Sequence, residues 1–392
     1  MERKLAYLGQ GKLFYRSEGK SEQIDSPYGQ DVIKRALERQ AKNDWKTGGS
    51  SQAALYSRRS LWGTDGDGTD AVNVKVTAVA PSDSSDELMY VVSTESVGGL
   101  FKYNLKTQKE TRIFHKERLF ISDFAKHADG ELLACCQRFP NGIASIALVR
   151  GNYVDEATEG DSVDESPSWV PGPGKQLVYQ CAGVARNPNG IMVGLGPAHI
   201  QKLDLEKGEV STLVENEKFD YLCPKMNKKG DLFYIRRPYE PLFSKGFSPG
   251  KAILDTILFP FRLARAFFDF LNVFSMTFSK KPLTTASGPK VEGPDEKSLF
   301  LRGRLIDAQQ LQKEQEGKEE SPALVPKSWE LICRDAAGNE KVIASAVLSY
   351  DMDTDNSLVY TNGTAVFEIG SDGSNKKLLF KDKLVDSILL LD

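Results

Sequence analysis

The feature that most limits how this chain can fold is a short pattern, Leu followed by an apolar residue and then Tyr, found nearly always just after a Gly, Asp or Asn turn. Six copies are present: Leu13-Phe14-Tyr15, Leu88-Met89-Tyr90, Leu132-Leu133-Ala134, Leu177-Val178-Tyr179, Leu232-Phe233-Tyr234 and Leu358-Val359-Tyr360. In the third, Ala134 stands in place of Tyr. Their first positions lie 75, 44, 45, 55 and 126 residues apart (88−13, 132−88, 177−132, 232−177, 358−232). A recurring unit of about 45 residues is too small to bury its own apolar face, so it must stack against its neighbours.

Each copy is the second strand of a similar series. A short apolar stretch and a turn come first, as in VTAVAPSDSSDE before Leu88 or YLCPKMNKKGD before Leu232. An alternating hairpin follows, turning at KTQ (106–108), EKG (206–208) and AAGN (336–339), where polar and Gly residues let pairing reverse. Continuous apolar runs first and alternating strands last describe inner strands squeezed between neighbours and an outer hairpin facing water. The expected fold is therefore all-β, a β-propeller of about six four-stranded blades over residues 1–392, with two helical insertions. Val385-DSILLL falls where the first strand of a further unit would begin, and Lys4-LAYLGQGKLFYR starts one strand early. The two ends are expected to pair and remove the exposed edges.

The long intervals locate the insertions. Between the first two copies, Ser26-Pro27 is a helix start, and Ile33, Leu37, Ala41 and Trp45 recur every fourth residue as an apolar stripe over 27–47. That helix is expected to pack on the rim, with Trp45 as a candidate partner contact. The larger insertion spans 241–327, between the second strand and the outer hairpin of the fifth unit. Its centre, FRLARAFFDFLNVFSMTF (261–278), follows Pro260. On a helix, Arg262, Arg265, Asp269 and Asn272 would fall within about 80° of one another, leaving the rest Phe-rich. A face that apolar is expected to be covered, by this chain, a partner protein or a membrane surface. The candidate binding residues are Phe261, Phe267, Phe268, Phe270 and Phe274 for burial, and Arg262 and Arg265 for orientation. Thr284-TASGPKVEGPDEK and Gln309-QLQKEQEGKEESP read as solvated linkers. SLFLRGRLIDA between them carries no assigned state.

Chemistry is constrained mainly by exclusion. A net charge of −3 argues against a nucleic-acid partner. There is no G-x-S-x-G for a nucleophile and no phosphate-cradling glycine loop with its Lys-Ser/Thr. The three histidines and five cysteines show no metal-ligand spacing. Vicinal Cys135-Cys136, inside a strand, should face opposite sides. The acidic turns at Asp65 and Asp351 lack the Gly and Glu of a calcium loop at the sixth and twelfth positions. No cofactor, metal or catalytic residue is expected. Arg236-Arg237-Pro238-Tyr239 leads directly into the large insertion and is expected chiefly to fix it by bidentate bonds. The opening MERKLAYLGQGK has no apolar run of signal-peptide length, so a cytoplasmic location is expected.

Ser166-PSWVPGPGKQLVYQ resembles the repeat of TolB-type propellers, where Pro, an aromatic position and a Pro-x-Gly turn precede the inner strand; Cys223-PKMNKKGDLFYIRR is a more degenerate copy. The resemblance implies a six-bladed propeller used for protein–protein contact, without catalytic residues to carry over. The resulting expectation is a non-enzymatic interaction scaffold. Two rivals stay open: a peripheral membrane protein anchored through 251–280, and an enzyme with acidic or His side chains converging on a central channel.

Overall fold

The computed structural model describes residues 3–44, 74–241 and 298–391, apart from 95–96, 118–119, 131, 140, 152, 191, 308–320 and 354–356. Within them the chain is nearly all strand, grouped into successive four-stranded units. The second unit runs Lys75–Pro81, Glu87–Ser93, Val97–Asn104 and Lys109–Glu117, each strand antiparallel to the next. The third is Phe120–Lys126, Leu133–Arg138, Ala144–Arg150 and Tyr153–Glu156. The fourth is Ser162–Trp169, Gln176–Arg186, His199–Asp204 and Glu209–Val214, joined to the third through one parallel pairing, Ala144 with Val163. The fifth combines Phe219–Met226 and Leu232–Pro238 with Glu330–Arg334 and Glu340–Ser345 across the large insertion. The sixth is Ser349–Met352, Ser357–Thr361, Ala365–Gly370 and Lys377–Lys381.

The first unit is made from both chain ends, as expected. Ser387–Leu391 is its innermost strand and pairs with Lys4–Gly9, followed by Lys12–Ser17 and Lys20–Ile24. Gly9 is required at this seam, because a Cβ there would stand 2.3 Å from the Leu384 carbonyl oxygen. The inner strands touch in cyclic order, second against third, third against fourth, fourth against fifth, and sixth against first against second. Tyr350 Oη closes the remaining step, donating to the Cys223 carbonyl of the fifth unit at 2.7 Å. The sheets thus stand around an axis.

The Leu-x-Tyr motif explains the packing. Five copies begin on or beside the second strand of a unit; the first, at Leu13, falls on the third, because Ser387–Leu391 takes the innermost place there. Tyr90, Tyr179, Tyr234 and Tyr360 are less than 2% exposed. Each is wide enough to reach the neighbouring sheet, and three of the hydroxyls find an acceptor at the edge: Glu110 for Tyr90, Gln201 for Tyr179, Glu340 for Tyr234. Ala134 occupies the small version of that position, and Ile146, Leu177 and Tyr179 pack over it. Cys135 and Cys136 face different apolar clusters, as their adjacency on a strand requires.

One helix lies among the described residues, Pro27–Asp44; residues 251–280 lie outside them. Its start is fixed by Ser26, whose Oγ accepts from the Gly29 amide at 3.1 Å, and by Glu110, which accepts from the Tyr28 amide at 2.9 Å. Beyond the expected linker, the end of the large insertion is core: Ala323, Leu324 and Val325 pack with Trp329 and sixth-unit residues. SLFLRGRLIDA forms a hairpin, Ser298–Leu301 against Arg304–Asp307, that pairs with no other sheet.

Candidate functional site

The inner strands are not regular. The second to fifth units each carry a register shift in this strand, at Val76/Ala78, Ile121/Asp123, Glu165/Ser168 and Leu222/Lys225. A bulge re-aims side chains that would otherwise sit between sheets. In the fourth and fifth units the bulge holds Ser166 and Cys223 in the left-handed region, with φ of 52° and 53°, each immediately before a proline. The same local device at homologous places brings polar groups to the axis.

Five units contribute to the resulting cluster. Asp123 of the third unit takes the Ser166 hydroxyl of the fourth and lies in the field of Lys225 of the fifth and Arg302 of the hairpin. Lys225 Nζ bonds Asp351 Oδ1 of the sixth unit at 2.5 Å, and Asp351 Oδ2 accepts from the Leu390 amide of the first at 2.8 Å. Asp386, beside the closing strand, accepts from the Gln10 amide at 3.1 Å. Burial pushes the Asp123 carboxyl above its ordinary range, against the pull of Arg302 and Lys225. Burial also raises Asp386, and it pushes Tyr350 well up. Burial disfavours the Lys225 ammonium, but Asp351, with Asp123 and Cys223, outweighs it and the net shift is upward. Asp123, Cys223 and Lys225 on the inner strands and Arg302 of the hairpin keep intermediate exposure.

The hairpin is fastened to this cluster by a buried charge hub. Asp220 Oδ2 accepts from Arg237 Nε at 2.8 Å and Arg304 Nη2 at 3.0 Å, while Oδ1 accepts from the Ala198 amide at 3.0 Å. Arg237 Nη1 donates to the Arg302 carbonyl at 2.8 Å, and its guanidinium lies 4.7 Å over the Trp329 ring. Burial pulls the Arg237 pKa down to about 10, opposed by Asp220. Arg304 Nη2 also donates to the Pro238 carbonyl at 2.5 Å. Arg237 therefore fixes the insertion, as the paired arginines led us to expect. Arg236 instead serves its own sheet through Glu330 and Glu340.

Trp45, Phe261, Arg262, Arg265, Phe267, Phe268, Phe270 and Phe274 lie outside the described residues. Among the described residues no group of three or more His, Cys, Asp or Glu is placed to hold a metal, and no helix is long and apolar enough to cross a membrane. A groove of about 520 Å³ between the fourth and fifth units is lined by Asn216, Phe219, Tyr221 and two arginines already engaged: Arg236 with its glutamates and Arg334 with the Leu213 carbonyl. Sequence reasoning missed Asp123, Lys225, Asp351 and Arg302. The one local signal was the S/C-Pro pair at Ser166-Pro167 and Cys223-Pro224, which recurs in inner strands.

No protein-family model matches the chain, and no curated protein matches it by sequence. Solved structures do. A chain of the nidogen/laminin complex aligns over 99% of this chain and 98% of its own length, with a TM-score of 0.52 at 8% identity. TolB from Acinetobacter baumannii aligns over 98% of this chain at 10% identity and a TM-score of 0.49; the chain spans 66% of its length. The tricorn protease aligns over 99% of this chain and 34% of its own, at 10% identity and a TM-score of 0.46. The topology and the nidogen/laminin likeness agree on the fold, and TolB-type structures stand among the similar ones, as the quoted repeat implied: in fold the chain is a β-propeller.

Proposed function

We propose that the chain is a six-bladed, non-enzymatic platform for protein–protein contact, acting in the cytoplasm, with the insertion of the fifth unit supplying specificity. The observation that carries this reading is how the insertion is held. Arg304 grips the Pro238 carbonyl where the chain departs, and Arg237 grips Arg302 where it returns. Residues flanking the insertion on both sides are tied to one buried hub, so its ends are fixed at a defined place on the ring, which suits recognition. The fold neighbour with the highest agreement quoted above comes from a protein–protein complex, which supports the same reading.

An enzyme with an axial site is the weaker reading. Its expected acids are present at Asp123 and Asp351, but Lys225 and Arg302 already face them. A general acid or base needs a free proton-accepting edge toward a substrate. Affinity capture with the intact chain, against a variant with Phe261, Phe267, Phe268, Phe270 and Phe274 changed to Ser, tests the platform. Loss of specific partners with an unchanged melting temperature supports it, and equal recovery overturns the assignment of those residues. Flotation with anionic liposomes that requires 251–280 would instead favour a membrane surface as the target.

A further inference from the structure

The outermost strand of each sheet presents an edge that no further strand covers, and such edges are normally blunted by charge, brevity or a neighbouring loop. Most of this ring follows that rule. Lys20–Ile24 and Lys109–Glu117 carry charged side chains along their length, Lys377–Lys381 has a lysine at each end, and Tyr153–Glu156 is only four residues long. Beside Glu340–Ser345 stands the Gly373 turn of the sixth unit, so near that a Cβ there would lie 3.2 Å from the Ile343 carbonyl oxygen. Glu209–Val214 of the fourth unit is the exception. It pairs only with His199–Asp204, and after Glu209 it reads Val-Ser-Thr-Leu-Val without a charge. Val210 on this strand is 52% exposed.

Two hollows follow the same strand. One of about 300 Å³ is lined by Lys202, Lys207, Val210 and Ser211. The other, the groove of about 520 Å³, begins at Thr212 and holds Tyr221, Arg236 and Arg334. Arg236 is fully paired with Glu330 and Glu340. Arg334 is not: it gives the Leu213 carbonyl one N–H, at 3.1 Å, of the five a guanidinium carries, and meets no carboxylate among the described residues. Lys202 likewise meets no carboxylate among them, and the Tyr221 hydroxyl has no hydrogen-bond partner there. An open backbone edge, an exposed apolar side chain and cations without counter-charge thus lie along one strand.

We propose that the edge of Glu209–Val214 is a docking strip for an extended, acidic peptide segment of a partner protein. The segment adds as one more strand over Glu209–Thr212. Pairing stops at Leu213, whose carbonyl Arg334 already holds, and there a carboxylate side chain of the partner meets the remaining Arg334 donors. Backbone bonds supply affinity with little demand on sequence, while alternate side chains supply choice: an apolar one beside Val210 and an acidic one at Arg334. This strip goes beyond the platform reading and uses none of the insertion's phenylalanines, so either can fail without the other.

A random octapeptide library displayed on phage, panned against the intact chain, tests the strip. Enriched sequences are expected to alternate β-branched residues and to end on Glu or Asp. A synthetic peptide of the enriched sequence should slow amide hydrogen exchange across 209–214, because strand addition protects backbone groups that now face water. Val210→Lys charges the edge at an exposed position and should weaken that peptide about tenfold or more. Arg334→Gln should weaken it about tenfold while leaving its glutamine analogue unaffected, as the loss of one charge pair would. Failure to enrich any peptide overturns the proposal, as does full affinity for Val210→Lys or unchanged exchange across 209–214. Equal weakening of the acidic peptide and its glutamine analogue by Arg334→Gln overturns the carboxylate assignment. A concentration-dependent dimer that Val210→Lys abolishes, with no peptide enriched, would give the edge to a second copy of this chain instead.

Discussion

The first and fifth units hold the ring together by opposite means. In the first, the two chain ends pair in register from Lys4 with Leu391 to Leu8 with Ser387, and the seam is filled by Leu5, Tyr7, Val385, Ile388 and Leu390. In the fifth, one buried carboxylate, Asp220, is shared by buried Arg237, partly buried Arg304 and an amide. Apolar contact is non-directional and summed over many atoms, so the seam can lose one side chain and keep the rest. A buried charge hub depends on complete pairing, because each ion has given up its water. Redundancy closes this ring, while a brittle network positions what the ring carries.

The contrast can be broken most forcefully at the seam. Deleting 386–392 removes Ile388, Leu389, Leu390 and Leu391 from the core. At about 1.5–3 kcal/mol each, the loss is roughly 6–12 kcal/mol, comparable to the whole stability of a typical domain. Calorimetry should find no single cooperative transition; one that survives intact would show that the seam is dispensable.

The hub should fail from a single atom group. Asp220→Ala leaves buried Arg237 and partly buried Arg304 without their carboxylate and is expected to destabilise by about 3–5 kcal/mol in urea unfolding. Replacing Asp220, Arg237 and Arg304 together by apolar residues of similar volume should recover most of that. A triple variant no better than Asp220→Ala would argue against a cost set by unpaired charge.

Alkaline titration sharpens the comparison further, since the seam also contains a titratable ring. Burial raises the Tyr7 pKa to about 12, with its hydroxyl bonded to Asp382 at 2.7 Å. The folded-state value exceeds the unfolded one near 10, so this stability is whole below pH 10 and is lost as pH climbs toward 12. Tyr90, Tyr179 and Tyr234 shift in the same direction through burial and add to the loss. Tyr7→Phe should reduce the pH-dependent loss between 10 and 12 by about 2 kcal/mol. An identical slope in wild type and variant would count against the raised value. The smallest effect is expected outside both regions. Arg186→Met removes the exposed fork on Asp161, and the urea midpoint should not move measurably.

How much could be read from the chain alone differs between these parts. The repeated Leu-x-Tyr strands, the turns between them and the pairing of the termini are local or periodic signals. They appear where the spacing placed them except for the Leu13 copy, which the closing strand displaces to third place in its unit. The hairpin at 298–307 was missed because Arg-Gly is not a usual hairpin turn, although LFL and LID flank it. Asp220 reads as an ordinary strand residue, and nothing nearby announces two arginine partners, one 17 and the other 84 positions away. Asp351 read as part of an acidic turn, yet it bonds Lys225 and the closing strand.

What the sequence determined by itself was the repeating sheet, because strand alternation, turn chemistry and apolar runs act within about ten residues and repeat at one period. What only the tertiary structure decided was which side chains meet on the axis. Asp123, Lys225, Asp351 and Arg302 come from separate parts of the chain, and their neighbourhood exists only once the sheets have closed around a common line. Periodicity can be read along a chain; convergence cannot.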